Sequence, residues 1–257
     1  GNSRSLIDVM DIRALHADGI DAGGAAFGDL CTGPLGEGDF LTAVLAEELA
    51  AMGINDVITC RKALENTFGK IIRGMAYPDT GITAFANGTD YSTVKAYLTD
   101  LGIVYSRTLG GDNDSFTLPT DWHAWMPTAH HSNPEIMTFI DKFLALDNQT
   151  GYCAMRHPRL FYMWGHAYEF DCNDNWDLLD KICEKLAGHD DIWYATNIEI
   201  CDYIAAFKHL IMSVDSNYIY NPTTTTLSLI YSDQDFINSG ITFELKPGEH
   251  VYLNQRI

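Results

Sequence analysis

Apolar residues recur along this chain at two spacings, and the two take turns. Leu41, Val44, Leu45, Leu49 and Met52 fall on one helical face, with Asp39 placed to cap the start and Gly53 to end it. Asn55 to Phe68 repeats the pattern through Val57, Ile58, Leu64 and Phe68, and Gly69 stands at its exit. Ile71 to Tyr77 then reads as a short buried strand closed by Pro78. Asp90 opens a helix that turns Val94, Tyr97, Leu98 and Leu101 inward and stops at Gly102; Ile103 to Ser106 follows as a strand. Asn133-Pro134 reads as a helix start, a capping Asn before a first-turn Pro, with Ile136, Met137, Ile140, Phe143 and Leu144 as the apolar face. Leu160 to Gly165 is nearly continuous and apolar, as expected of a strand covered on both faces. Asp174 opens the next helix, with Trp176, Leu179, Ile182, Cys183 and Leu186 inward and Gly188 as its stop. Ile192 to Ala195 is the next strand, and Thr196 with Glu199 forms a capping box for a helix reaching about Leu210. Alternating strand and helix predict an α/β chain with a parallel sheet or β/α barrel.

After about Val214 the period changes. Tyr218 to Tyr220, Thr225 to Tyr231, Ile241 to Leu245 and His250 to Leu253 are strand-like, and Asn221-Pro222, Asn238-Ser239-Gly240 and Lys246-Pro247-Gly248 separate them as turns. The expected organisation is a β/α domain over residues 1–212 and a small antiparallel β appendage over 213–257.

The charge balance narrows the partners. The 257 residues carry 16 Lys and Arg against 35 Asp and Glu, a formal charge of −19. A surface of that sign repels phosphates, which argues against nucleic acid or an anionic membrane as partner. A content of 46% hydrophobic and 20% charged residues is that of a chain with a sizeable core. No apolar run reaches the ~18–20 residues of a membrane span. The opening Gly1-Asn2-Ser3-Arg4-Ser5 has no signal-peptide core behind it. Six cysteines without a C-x-x-C pair read as reduced thiols. The expected location is cytoplasmic.

Ligands of β/α folds sit at the carboxyl ends of the strands, and that rule singles out a few positions. His166 follows the Leu160–Gly165 strand, with Tyr168 and Glu169 behind it; an imidazole there serves as general acid or base, or is simply a hydrogen-bonded structural group. Asp121-Trp122 precedes His123, His130 and His131, and an Asp can orient an imidazole or help hold a metal. Adjacent histidines in a strand point to opposite faces, so at most one of His130 and His131 is expected to face a site, the other reading being surface polar residues in a loop. Tyr77-Pro78-Asp79 closes another strand, and Asp112-Asn113-Asp114 reads as a solvated acidic turn that lacks the Gly and Glu of a calcium loop. Tyr77, Trp122, Trp125, Trp164 and Tyr168 offer flat rings for stacking on a sugar, although core packing is the commoner fate of aromatic residues. The Gly19–Gly28 stretch is not G-x-G-x-x-G, and the chain has no G-x-S-x-G, Walker A or H-E-x-x-H.

Several ordered stretches resemble the polysaccharide deacetylase family (the NodB homology domain, carbohydrate esterase family 4) in a bacterial subgroup. They are Arg61-Lys62-Ala63-Leu64-Glu65, FGKIIRGMAYP, LGIVYSRT, PTDWHAWMPTAHHSNP, LFYMWGHAYEF, NWDLLDKICEKL, DIWYATNIEICDYIAA and the tail from YIYNPTTTTLSL to LKPGEHVYL. The resemblance covers roughly residues 19–257. It implies a distorted β/α barrel, here incomplete, and hydrolysis of N-acetyl groups on carbohydrate assisted by a divalent metal, usually zinc. By resemblance His166 protonates the leaving amine, and Asp121 with Trp122 supports the site. Tyr77, Pro78, Trp122, Trp164, Tyr168 and His131 line the substrate groove, and Asp29 is a metal ligand.

The chain departs from the family pattern at three places. Ala76 stands where the family has Arg, Ala25 stands at one histidine of the H-x-x-x-H motif and Asp29 at the other, and nothing before residue 19 resembles the D-D motif. The unpaired barrel edge this leaves is expected to be covered by residues 1–18, by the β appendage or by a second copy of the chain. Three functions are therefore expected to compete: a metal-dependent deacetylase, a carbohydrate-binding protein without chemistry, and a fragment of an active deacetylase.

Overall fold

The structure is a computed structural model, and it describes residues 8–10, 54–77, 81–85, 88–146, 158–215, 217–232 and 240–253. The expected helix from Asp39 to Met52, the Gly19–Gly28 stretch, Ala25, Asp29, Pro78 and Asp79 lie outside the described residues.

Helix α1, Ile54–Phe68, buries Val57, Cys60 and Leu64 along one face against Met75, Tyr77, Val94, Leu98 and Ile103. Strand β2, Gly74–Ala76, follows it and pairs in parallel with β3, Tyr105–Arg107. Between them runs α2, Tyr91–Asp100; the Asp90 side chain accepts from the Thr93 N–H and satisfies one of the free donors of the first turn. A single turn of 3-10 helix, Trp122–Ala124, then leads to β4, Ala129–His130, and to α3, Ile136–Leu144. Strands β5, Arg159–Phe161, and β6, Met163–Trp164, occupy the expected apolar run, with β5 starting one residue ahead of it. Helix α4, Ala167–Asn173, and helix α5, Trp176–Leu186, precede β7, Trp193–Tyr194. Helix α6, Asn197–Lys208, carries the predicted capping box: the Thr196 hydroxyl accepts from the Glu199 N–H at 3.4 Å, and Glu199 accepts from the Thr196 N–H at 2.7 Å.

The parallel segments form one succession. β2 pairs with β3, and β3 continues to Trp125 through a parallel bridge at Arg107. The segment after Trp125 reaches β6 through Thr128 N–H to Tyr162 O, the β4–β6 pairing, and His131 N–H to Trp164 O. Strand β1, Asp8–Met10, lies between β5 and β7 and is parallel to both. Residues 8–10 are thus an interior strand, whereas residues 1–18 were expected only to cover an edge. Such a succession is common to open parallel sheets and to β/α barrels.

Its faces are covered in two places. Phe139, Ile140 and Phe143 of α3 meet Leu179, Ile182 and Leu186 of α5 around Phe161 and Met163. Ile200, Cys201 and Ile204 of α6 meet Tyr105, Trp125, Leu160 and Tyr162. Each of these side chains contributes about 1.5–3 kcal/mol by leaving water.

The C-terminal part is antiparallel, as predicted. β8, Ile211–Met212, β9, Tyr218–Tyr220, and β12, His250–Tyr252, form one sheet, and β10, Leu227–Ser232, pairs with β11, Gly240–Leu245. This unit begins at Ile211, slightly ahead of the expected boundary, because β8 joins its sheet. Leu227, Leu229, Phe243, Leu245 and Val251 pack with Ala206 of α6, and the Tyr203 hydroxyl accepts from the Ser228 N–H at 2.9 Å.

Candidate functional site

The carboxyl ends of β4 and β6 bring the chemistry together. Strand β4 ends at His130, so the chain turns out of the pleat before His131, and the alternation expected of two histidines in a strand does not apply. Their rings lie 4.4 Å apart, inclined by 32°, and both reach the same carboxylate. Beyond β6, Gly165 adopts φ +154, and a Cβ there would fall 1.8 Å from His131 Cδ2. Only glycine admits the His131 ring at that spot. The chain then enters α4, whose first turn swings Glu169 back over the strand ends.

Glu169 is the hub. Its Oε2 lies 2.7 Å from His131 Nε2 and 3.1 Å from His130 Nε2, and it accepts the His166 backbone N–H at 3.2 Å. Its Oε1 lies 3.3 Å from His166 Nδ1. His131 is fully buried and stacks on Phe170 at 4.2 Å, whereas His130, His166 and Glu169 are partly open. The Trp164 ring stands edge-on to His130 at 4.6 Å, and the half-exposed Tyr168 ring is 5.2 Å from His166.

The charge state follows from these neighbours. Burial, then the adjacent His131, push the His130 pKa down to about 4 against the pull of Glu169. His130 is therefore a neutral imidazole at neutral pH, and its 3.1 Å contact with Glu169 is not an ion pair. Burial raises the Glu169 carboxyl, but the His166 N–H and the surrounding imidazoles outweigh it, and the net shift is downward. Glu169 is an anion at neutral pH.

Arg107 extends the site behind Trp164. Its side chain is fully buried, with the guanidinium 4.3 Å from the Trp164 ring, a contact worth about 0.5–2 kcal/mol. Nη1 donates to Thr108 O at 3.4 Å, while Nε and Nη2 have no hydrogen-bond partner among the described residues.

The other expected site residues are placed elsewhere. Asp121 accepts from the His123 N–H at 3.0 Å, from Tyr91 at 2.9 Å and from Lys95 at 2.7 Å, so it ties the 3-10 turn to α2. None of the described contacts joins it to His166 or Glu169. Trp122 is half-buried against the buried Trp125, 5.0 Å away. Tyr77 is 2% exposed and packs on Phe85, with its phenol pushed up to about 12 by burial. Its ring is thus buried in the described structure rather than open to solvent. The Asp112–Asp114 turn is anchored by Ser115 on Asp112 and by an ion pair of Asp114 with Lys142.

Of the residues singled out in the sequence, the structure joins His131, Trp164, His166 and Tyr168. It brings in His130 and Glu169 as well, which the sequence named beside them without a role, and adds Arg107. The His166-x-x-Glu169 spacing was the signal for the hub, because residues three apart across a helix start face each other. Comparison with family models, with curated proteins and with solved structures gave no match to this chain. Among the described residues no helix is long and apolar enough to cross a membrane.

Proposed function

We propose that this chain is a polysaccharide deacetylase-like hydrolase that removes N-acetyl groups from carbohydrate, on a distorted β/α barrel and in the cytoplasm. The observation that carries the reading is the placement of His166. It stands at the carboxyl end of a parallel strand, with Trp164 and the exposed Tyr168 on either side and the Glu169 anion against its Nδ1. Amide hydrolysis needs a proton delivered to the leaving amine. The Glu169 carboxylate lies 3.3 Å from Nδ1, and an imidazole that delivers a proton contributes about 10²–10⁴-fold. The two aromatic rings supply flat apolar faces of the kind sugars stack on.

The metal positions implied by the family do not fit. Ala25 has no ligand atom, and one carboxylate at Asp29 falls short of the three protein ligands a catalytic zinc commonly takes. The chemistry of this reading is accordingly that of His166 and Glu169. The test is acetate release from N-acetylated chito-oligosaccharides, with and without added zinc or cobalt. His166→Ala is expected to lower kcat by about 10²–10⁴-fold with KM little changed. No release from wild type removes the hydrolase reading.

The exposure of Tyr168 beside Trp164 favours a second reading, carbohydrate binding without chemistry. It predicts glycan binding that survives His166→Ala and is lost in Tyr168→Ala.

A further inference from the structure

Two imidazole nitrogens and a carboxylate oxygen converge at the ends of β4 and β6, all within 4.8 Å of one another. The convergence is denser than hydrogen bonding requires. A single oxygen, Glu169 Oε2, has three nitrogen neighbours within 3.2 Å, two of them ring nitrogens. A tetrahedral ion bonded at about 2.0–2.2 Å sets its ligands roughly 3.3–3.6 Å apart. The observed separations of 2.7 and 3.1 Å need open by only a few tenths to a little under an ångström.

Ser132 holds the His130 ring through Nδ1, with its backbone N–H donating at 3.2 Å and its hydroxyl 2.7 Å away. That leaves Nε2 facing Glu169, and an ion bound there takes the place of its proton. His131 Nδ1 is buried with no partner among the described residues, so the polar outlet of that ring is Nε2, aimed at Glu169. The missing Cβ of Gly165 is what admits the ring.

We propose that His130 Nε2, His131 Nε2 and a Glu169 carboxylate oxygen bind one divalent transition ion of the zinc and cobalt class. Two nitrogen donors and one oxygen select that class over magnesium and calcium, which take oxygen ligands. Three protein ligands leave at least one coordination position open. This site is separate from the positions implied by the family, and it is measured without any sugar.

The experiment is titration of the chelator-stripped full chain with Zn²⁺ by calorimetry and with Co²⁺ by visible absorption. One ion per chain is expected, with ligand-field bands of a nitrogen and oxygen site and no thiolate charge-transfer band. His130→Ala and Glu169→Gln, each verified as folded by circular dichroism, are expected to weaken affinity by more than the about 10–100-fold typical of losing an outer-sphere partner. Ser132→Ala, which leaves all three ligands in place, is expected to weaken it within that range, and it stands in should either ligand variant fail to fold. No stoichiometric uptake, uptake undiminished in these variants, a thiolate band, or loss confined to Asp29→Ala would each overturn the proposal.

Discussion

Gly165 shows how much of this site rests on single positions. Its backbone is in a region that side-chain-bearing residues rarely adopt, and its empty Cβ position is occupied by the His131 ring. That ring is held by Glu169 on one edge and Phe170 on one face, so it has little room to retreat. Gly165→Ala is therefore expected to cost about 1–3 kcal/mol or more from backbone strain and the clash together. Urea unfolding measures it, and wild-type stability in that variant would contradict the packing described. His166 was legible in the sequence because the strand before it is apolar and strongly patterned. His130 and Glu169 could be named there, but their joint role could not. The rule of alternating faces hides His130 unless the end of β4 is known to within one residue, and Glu169 belongs to a helix too short to show a period.

Two element boundaries differ from the pattern for local reasons. Asn133-Pro134 was expected to open α3, yet the helix starts at Ile136. The Asn133 side chain accepts from the Glu135 N–H at 2.9 Å, and its own N–H donates to His130 O, so the pair closes a turn behind β4 instead. Asp174 was expected to open α5, and it closes α4 in the left-handed conformation at φ 47. Both are short polar side chains that serve turn and cap equally well, and the choice is made by what packs beyond them. Asp121 also acts at the scale of elements, by fastening α2 to the 3-10 turn. Burial raises its carboxyl, but hydrogen bonds from Lys95, Tyr91 and the His123 N–H prevail and hold it below the usual range. A carboxyl depressed in the folded state adds stability above its unfolded pKa and loses it as pH falls through the folded value. The stability gap between wild type and Asp121→Asn is thus expected to be widest near neutrality and to narrow below about pH 4. The pair with Lys95 is 41% and 31% exposed, so salt should shrink the gap as well. A gap that is constant with pH would assign the effect to lost packing alone.

At the scale of the molecule, the alternation of strand and helix and the C-terminal change to antiparallel strands were readable from periodicity alone. The order of the strands was not, since neighbours in the sheet come from distant parts of the chain and no local pattern encodes their pairing. The formal charge of −19 also acts at this scale. Self-repulsion opposes the compact state and is screened over about 8–10 Å at 0.1–0.15 M salt. The melting temperature is expected to rise as sodium chloride increases from about 10 to 150 mM, where the Debye length shortens about fourfold. A flat response would mean that the acidic side chains are already neutralised by local partners.

The position of β1 has a consequence in time as well as in space. Among the described strands it is made earliest, yet its two neighbours begin at Arg159 and Trp193. Until those arrive, its backbone donors and acceptors have only water to bind, and each pairing then closes a very long loop. Closure entropy grows slowly with loop length, but contacts so far apart in sequence make folding slow. Completion of the sheet is thus a late, all-at-once event in the life of the nascent chain, and the histidine cluster on its rim inherits that lateness.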